Sequence, residues 1–579
     1  MKLRRLSVLA FLSCIVAAAP LFPLSAQDGG PFDVLITGGH VMDGTGNPWF
    51  AADVGIRGGK IVAVGKLTGA TAARTIDARG KVVTPGFIDL HSHASQGLAS
   101  EDARRRSAPN LVTQGITTAV LNPDGGGPVS MSEQRATLER LGIGLNAILL
   151  VPHNSVRREV LGADFQRRAT PAEVGRMRAL VHQGMEDGAF GLSAGLEYVP
   201  GIWSDTDELV ALTEQLVPYD GIFHVHERAG GLEPMWFRPS VDDPDDVGAN
   251  RTTMLDFVNE LIEVGERTGA KVHFTHMKVR GAPFWGSGGA ANSLINRARA
   301  RGVRITGDQY PYTTSGSDGS VTLLPEWALG EERWGGSSAS DTPDYREALR
   351  RTLADPSKAA GLKRDIEHEM AYRGGAENIV IFDHPDRSYI GKSVAELAAA
   401  HGQTPTEFAI SLQLEGFPDR AGGARARSFS FNEEDIEIIA AQPWVATATD
   451  GGIALPEDGP ATHARYYGTF PRKIRRYAMD RGVMSVESAV RAGTSLPAQI
   501  LGLRNRGLVQ EGFGADLVVM DLERVRDMST FESPHQFSQG IDYVLVNGKF
   551  VVDGEGHPTG SLAGAVISRK DGLVPPSVH

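Results

Sequence analysis

Apolar and polar positions follow two different rhythms along this chain, and the rhythm switches twice. Near the start, Asp33-Val-Leu-Ile-Thr37, Ala52-Asp-Val-Gly-Ile56 and Lys60-Ile-Val-Ala-Val64 are short apolar-rich runs punctuated by Gly38-Gly39 and Gly58-Gly59. That texture predicts strands joined by tight turns. It returns late, in Asp516-Leu-Val-Val-Met-Asp521 and Ile541-Asp-Tyr-Val-Leu-Val-Asn-Gly548, where Asn547-Gly548 marks a hairpin. Between the two ends the spacing becomes helical. Thr253 can cap a helix that puts Met254, Phe257, Val258 and Leu261 on one face, Gly269 can end it, and Val272-His-Phe-Thr-His276 follows as a strand. Similar units lead into strand-like runs at 147–151, 221–226, 303–308 and 445–450.

This repetition of helix and strand predicts a (β/α)8 TIM-type barrel, whose active site forms at the C-terminal ends of the strands. No Gly-x-Gly-x-x-Gly turn follows the early strands, which weighs against a doubly wound open sheet. The strand-rich ends predict one small β-sandwich domain assembled from both, since each piece alone buries little. About 130 residues separate Tyr312 from Asp450, too many for one βα unit, so a lid or subdomain is expected at about 316–440. The resulting layout is a leader at 1–26, β-domain parts at 27–84 and 501–570, a barrel over 85–500 and a tail at 571–579.

Composition alters this picture in two places. Lys2, Arg4 and Arg5 precede an apolar stretch from Leu6 to Ala19 and a small-residue exit at Leu24-Ser25-Ala26, the pattern of a secretory leader. The expectation is therefore an exported protein, periplasmic or secreted. The single cysteine, Cys14, lies inside that leader, so the remainder has neither disulfides nor thiolate ligands. Losing the leader takes the formal net charge from −12 to −15, which argues against nucleic acid or anionic membrane as a partner.

The chemistry is concentrated at expected strand ends. Residues 84–93, Thr-Pro-Gly-Phe-Ile-Asp-Leu-His-Ser-His, finish an apolar run with two histidines spaced i, i+2. On extended backbone that spacing turns both imidazoles to one side, where they can share a metal ion. Asp124, His153, His226, His276, Asp308 and Asp450 recur at later strand ends. Ligands scattered in sequence but aligned at one end of a barrel point to a metal-dependent active site.

These pieces resemble the amidohydrolase superfamily and, within it, the D-aminoacylase (N-acyl-D-amino-acid deacylase) group. The resemblance rests on Pro85-Gly-Phe-Ile-Asp-Leu-His-Ser-His93, Gly115-Ile-Thr-Thr118, Gly191-Leu-Ser-Ala-Gly-Leu-Glu-Tyr198, His226-Glu-Arg228, His276-Met-Lys278 and Asp308-Gln-Tyr-Pro-Tyr312. It continues through Thr449-Asp-Gly451, His463-Ala-Arg465, Tyr467-Gly-Thr-Phe-Pro-Arg472 and Gly514-Ala-Asp-Leu-Val518. It implies one or two zinc ions, with His226 and His276 as ligands of one position and His91 and His93 of the other. His224 would share a face with His226.

Relatives carry a cysteine ligand six residues beyond the Gly-Ile-Thr-Thr motif, where this chain has Asp124. Asp124 is expected to be a ligand with oxygens enough to bridge two ions; the alternative is an Asx-turn in a glycine-rich loop. Asp450 is implied as a metal-site residue and as the catalytic acid and base. Lys278, Tyr310 and Arg465 are implied to hold a substrate α-carboxylate. Tyr198 would touch substrate or pack in the barrel, and His153 would stand near the site. Alanine replaces a common proline between His463 and Arg465.

The expected reaction is hydrolysis of N-acyl-D-amino acids to a carboxylate and a free D-amino acid. The alternatives are a dipeptidase, a cyclic-amide hydrolase of the hydantoinase or dihydroorotase kind, and a non-catalytic secreted binding protein. Many cyclic-amide hydrolases use a carboxylated lysine on strand four, and Ala147-Ile-Leu-Leu-Val-Pro-His153 has none.

Overall fold

A computed structural model describes residues 30–232, 252–316, 321–330 and 344–572. The expected leader and most of the expected tail lie outside the described residues.

Eight strands form one sheet from the two ends of the chain. The N-terminal members are β1 (Phe32–Val41), β2 (Phe50–Arg57), β3 (Lys60–Gly65), β4 (Ala72–Asp77) and β5 (Val82–Pro85). The C-terminal members are β17 (Leu517–Met520), β18 (Ile541–Val546) and β19 (Lys549–Val552). Their order is β19-β18-β17-β5-β1-β2-β3, with β4 pairing to β1. β5 is the joint: it runs parallel to β1 and antiparallel to β17, where Val83 faces Val519. Ile36, Val54, Ile61, Val83, Leu517 and Leu545 belong to one apolar cluster, so neither end could bury its face without the other.

The barrel strands are β6 (Phe87–Asp89), β7 (Ile116–Leu121), β8 (Asn146–Leu149) continuing as β9 (Val151–Pro152), β10 (Gly191–Gly195), β11 (Ile222–His226), β12 (Lys271–Phe274), β13 (Ile305–Gln309) and β16 (Val445–Thr447). Neighbours pair in parallel, β8 with β7 and β9 with β10, so the broken fourth strand joins the two arcs. The remaining seam, between β6 and β16, is stitched beyond the strand ends. Asp450 N donates to His91 O at 2.9 Å, and His93 N donates to Gly451 O at 2.8 Å.

The helix Met254–Thr268 shows how sequence produces one unit. Thr253 Oγ1 accepts from Asp256 N, and the Asp256 carboxylate accepts from Thr253 N, closing a capping box. Met254, Phe257, Val258, Leu261 and Ile262 are buried on one face, each contributing about 1.5–3 kcal/mol. Gly269 ends the helix at φ 69°, a left-handed position that glycine occupies without strain.

Between β13 and β16 lies an inserted subdomain with an antiparallel pair, β14 (Ile379–Asp383) and β15 (Arg425–Ser428). It has its own apolar core, including Leu349, Leu362, Ile366, Leu397 and Phe408. Among the described residues no helix is long and apolar enough to cross a membrane.

Candidate metal centre

At the C-terminal mouth of the barrel four polar residues take left-handed backbone: Asn122 (φ 60°), Asp124 (φ 55°), His276 (φ 35°) and Asp450 (φ 48°). Such conformations cost about 1–3 kcal/mol each and persist where the surroundings enforce them. Asp124 follows β7 in an Asn-Pro-Asp-Gly turn held from several sides. Asn122 Nδ2 donates to Leu150 O at 3.0 Å, Ser193 Oγ to Asn122 O at 2.5 Å, and Gly125 N to Ser193 Oγ at 3.2 Å. A Cβ on Gly195 would lie 2.3 Å from Asp124 O, so glycine is what lets this turn approach β10.

The turn delivers the Asp124 carboxylate between two sets of histidines. Oδ1 lies 3.3 Å from His91 Nε2, 3.4 Å from His226 Nδ1 and 3.5 Å from His276 Nε2. Oδ2 lies 3.4 Å from His93 Nε2. Asp450 Oδ1 completes the first set, 3.0 Å from His93 Nε2 and 3.5 Å from His91 Nε2. Two donor groups result, His91–His93–Asp124–Asp450 and Asp124–His226–His276, with Asp124 common to both. β6 ends at Asp89 and the chain bends at Leu90 and His91, so the two early histidines converge from beyond the strand, Ser92 bridging to Gly451.

These residues fit zinc. Both ring nitrogens of His91 and Oδ1 of Asp124 are buried without a hydrogen bond, a costly arrangement that a divalent cation would relieve. Imidazole and carboxylate donors suit that ion, and a carboxylate shared by two groups suits a pair.

Behind the ligands stands a second tier of carboxylates. His226 Nε2 faces Glu197 Oε2 at 3.3 Å, and Glu197 is held by Arg280 Nη2 at 2.8 Å. His276 Nδ1 faces Glu227 Oε2 at 3.3 Å, and Lys278 Nζ lies 2.6 Å from Glu227 Oε1. Asp308 Oδ1 accepts from His276 N at 2.6 Å, supporting its left-handed backbone, while Oδ2 lies 2.8 Å from His273 Nε2. Asp89 accepts from Thr449 N at 2.8 Å, Thr449 Oγ1 at 2.5 Å and His91 N at 3.3 Å, pinning the seam. Burial pushes the Asp89 carboxyl up to about 7, against the pull of those hydrogen bonds. A metal-bound histidine is oriented by what its other nitrogen meets, and this tier supplies it.

Electrostatics keep these two central carboxylates ionised. Burial pushes the Asp124 carboxyl up, but the His91 and His226 rings overcome it and hold it well below the usual range. Burial likewise opposes Asp450, and Arg465 followed by His276 overcomes it. Arg465 Nη1 lies 2.9 Å from Asp450 Oδ2, and the guanidinium sits 4.6 Å above the Tyr310 ring. A cavity of about 1340 Å³ opens over the centre, lined by Asp124, Tyr198, His226, His276, Asp450 and Arg465 among others.

The other expected residues are placed as follows. Tyr198 packs its ring 4.3 Å from His226 and lines the cavity. Lys278 reaches the cavity with its ammonium turned toward Glu227 and His276. Tyr310 is buried behind Arg465. His153 is buried in the wall, its Nε2 2.9 Å from Glu208 and its Nδ1 3.2 Å from Asn154 Oδ1, outside the cavity lining. His224 lies one layer below the ligands, its ring 5.2 Å from both His91 and His273. Sequence reasoning did not single out Glu197, Glu227, Arg280 or Asp89. Glu197 and Glu227 lie inside motifs that were recognised, and adjacency to Tyr198 and His226 was the available signal.

Comparison with known proteins agrees with this geometry. Residues 74–380 and 380–552 match the amidohydrolase family. D-aminoacylase of Alcaligenes xylosoxydans xylosoxydans is 31% identical over 94% of this chain and 99% of its own. A solved D-aminoacylase with a binuclear metal centre superposes at TM-score 0.69 and 28% identity, covering 93% of this chain and 100% of that one. N-acyl-D-glutamate deacylase of Bordetella bronchiseptica, solved with zinc and a phosphonate mimic of the tetrahedral intermediate, also superposes at 0.69 and 28%, with the same coverage. The chain belongs to the amidohydrolase family, in its D-aminoacylase group.

Proposed function

We propose that this protein is a zinc-dependent hydrolase that cleaves the amide bond of N-acyl-D-amino acids, releasing a carboxylate and a free D-amino acid. One observation carries the reading: Asp124 stands between two histidine pairs, with an ionised Asp450 alongside and Arg465 beside it. Bound zinc supplies Lewis acidity to the scissile carbonyl and acidifies a water molecule.

The protein's own groups do the rest. Asp450 accepts the proton released as water adds to the carbonyl carbon, then returns it to the amine nitrogen as the C–N bond breaks. Arg465 is buried and paired to Asp450 through Nη1, and its Nε, without a hydrogen bond, leaves a charge-assisted donor for the α-carboxylate. Tyr310 supports the guanidinium plane from below. Tyr198 narrows the approach to His226. Strand four carries no lysine, which favours this reading over the cyclic-amide hydrolases that depend on one.

The deciding experiment is amine release from paired N-acetyl D- and L-amino acids, with and without a chelator. Release from D substrates that stops on chelation and returns with zinc is the expected result. Release from L substrates alone overturns the stereochemical part, and indifference to the chelator overturns the metal part. The basic and then apolar start of the chain, and the absence of cysteine after Cys14, support export of the mature enzyme. N-terminal sequencing of protein recovered from the periplasm or medium tests that.

A further inference from the structure

We infer that Asn154 is a positioning residue for the metal centre: it holds the Asp124 carboxylate between the two histidine pairs without itself reaching the cavity. The inference rests on Asp124 as the ligand common to both donor groups. Asn122 and Asp124 are both left-handed, so the turn that carries this carboxylate needs its surroundings to keep its shape. Ser193 holds one side of it, through Asn122 O and Gly125 N. The other side rests on Asn154, the second residue of the helix His153–Leu161. Its carboxamide answers both backbone groups of Gly195: Nδ2 donates to Gly195 O at 2.9 Å, and Oδ1 accepts from Gly195 N at 3.1 Å. Asp124 O leaves no room for a side chain at Gly195, and a Cβ on Gly125 would collide with Asn154 Oδ1. Asn154 is thus wedged between the Asp124 turn and the end of β10, two residues before Glu197, which faces His226.

The wedge is fixed from behind by groups that no step of the reaction uses. His153 Nδ1 lies 3.2 Å from Asn154 Oδ1, and His153 Nε2 lies 2.9 Å from Glu208 Oε1. Arg157, fully buried, donates Nε to the same Glu208 oxygen at 3.1 Å. Its Nη1 donates to Phe165 O at 2.7 Å and its Nη2 to Arg167 O at 2.5 Å, tying in the loop after the helix. None of these four side chains, Asn154 included, is part of the cavity lining. A buried network so fully paired specifies one arrangement of its members. Position 154 calls for an amide. A carboxylate there keeps the acceptor for Gly195 N but turns a second oxygen onto Gly195 O, and alanine gives up both bonds.

The test measures zinc affinity of the full chain by chelator competition, for the wild type, Asn154→Ala and Asn154→Asp. Alanine should weaken binding about ten- to a hundredfold and aspartate by less. At limiting zinc kcat should fall with affinity while KM holds, and excess zinc should restore kcat in both variants. Wild-type affinity in Asn154→Ala overturns the inference. So does a loss of turnover that excess zinc leaves in place, because damage to the fold at large is not repaired by the ion. Should the alanine variant fail to fold, the aspartate variant decides on the same two readouts, affinity and recovery by zinc. Full zinc content in Asp124→Ala removes the shared-ligand reading, and this inference with it. Zinc lost from Asp124→Ala but held normally by Asn154→Ala removes the inference alone.

Discussion

The two halves of the metal centre are built on opposite plans. On the side of β11 and β12, His226 and His276 have side chains 4% and 1% exposed, and each far nitrogen faces a carboxylate that is itself paired to a cation. On the side of β6 and β16, His93 is 39% exposed, and Asp450 divides its oxygens between the histidines and Arg465. The first half is braced against movement; the second opens to the cavity at His93, with His91 fully buried behind it. The contrast separates holding an ion from doing chemistry beside one, a division that closed and open metal sites generally display. Asp124 spans the division.

Variants can break that contrast in descending order of effect. Asp124→Ala removes the carboxylate common to both halves. Zinc content should fall in both, and kcat should drop about a thousandfold, since several kcal/mol of charge stabilisation go with it. Full zinc occupancy in that variant, measured by elemental analysis, refutes the shared role. Asp450→Asn should cost roughly a hundredfold or more in kcat while the half around His226 and His276 keeps its metal; near-wild-type turnover would free Asp450 of its assigned part. Glu197→Gln should weaken zinc binding about ten- to a hundredfold in the braced half only. Chelator competition with the wild type and with His93→Ala separates the halves, and equal weakening in both would erase the distinction.

The smallest effect lies outside both halves and serves as a control. Lys473 is buried, its Nζ has no hydrogen-bond partner, and burial pushes its ammonium down to about 7 from an ordinary 10.5. Between those values the unfolded chain holds more protons than the folded one, so stability rises with pH through that window. Lys473→Met should therefore raise the unfolding free energy most at neutral pH and below, by an amount on the order of a few kcal/mol read as a higher Tm, with the gain fading toward pH 10. A gain independent of pH would show that the buried ammonium is not the source of the penalty.

Much of the centre was legible because its ligands stand where apolar strand runs stop. His226, His276 and Asp450 carry that signal, and the histidine pair at 91 and 93 shows it by its spacing, although the chain bends at Leu90 and His91. The bracing tier was hidden for a physical reason. Glu197 meets His226 and Arg280 only because β10, β11 and β12 lie side by side in a particular register, with Gly195 opposite His226. No local pattern encodes which far-off side chain a barrel will set behind a ligand. Backbone detail was hidden too. The run ending at Asp450 reads as a strand, yet β16 stops at Thr447, because Asp450 turns left-handed to reach the mouth. Lys278 illustrates the same limit: its place after His276 was readable, whereas the turn of its ammonium toward Glu227 depends on packing.

The seam has a consequence for how the centre is completed. The first and last barrel strands meet through the Asp89–Thr449 bonds and through backbone bonds at His91, His93, Asp450 and Gly451, three of which belong to one donor group of the centre. A molecule whose ring has not yet shut therefore lacks part of its donor set, however well the other half has formed. The centre is complete only when the ring closes, because its two donor groups come from strands on both sides of the seam.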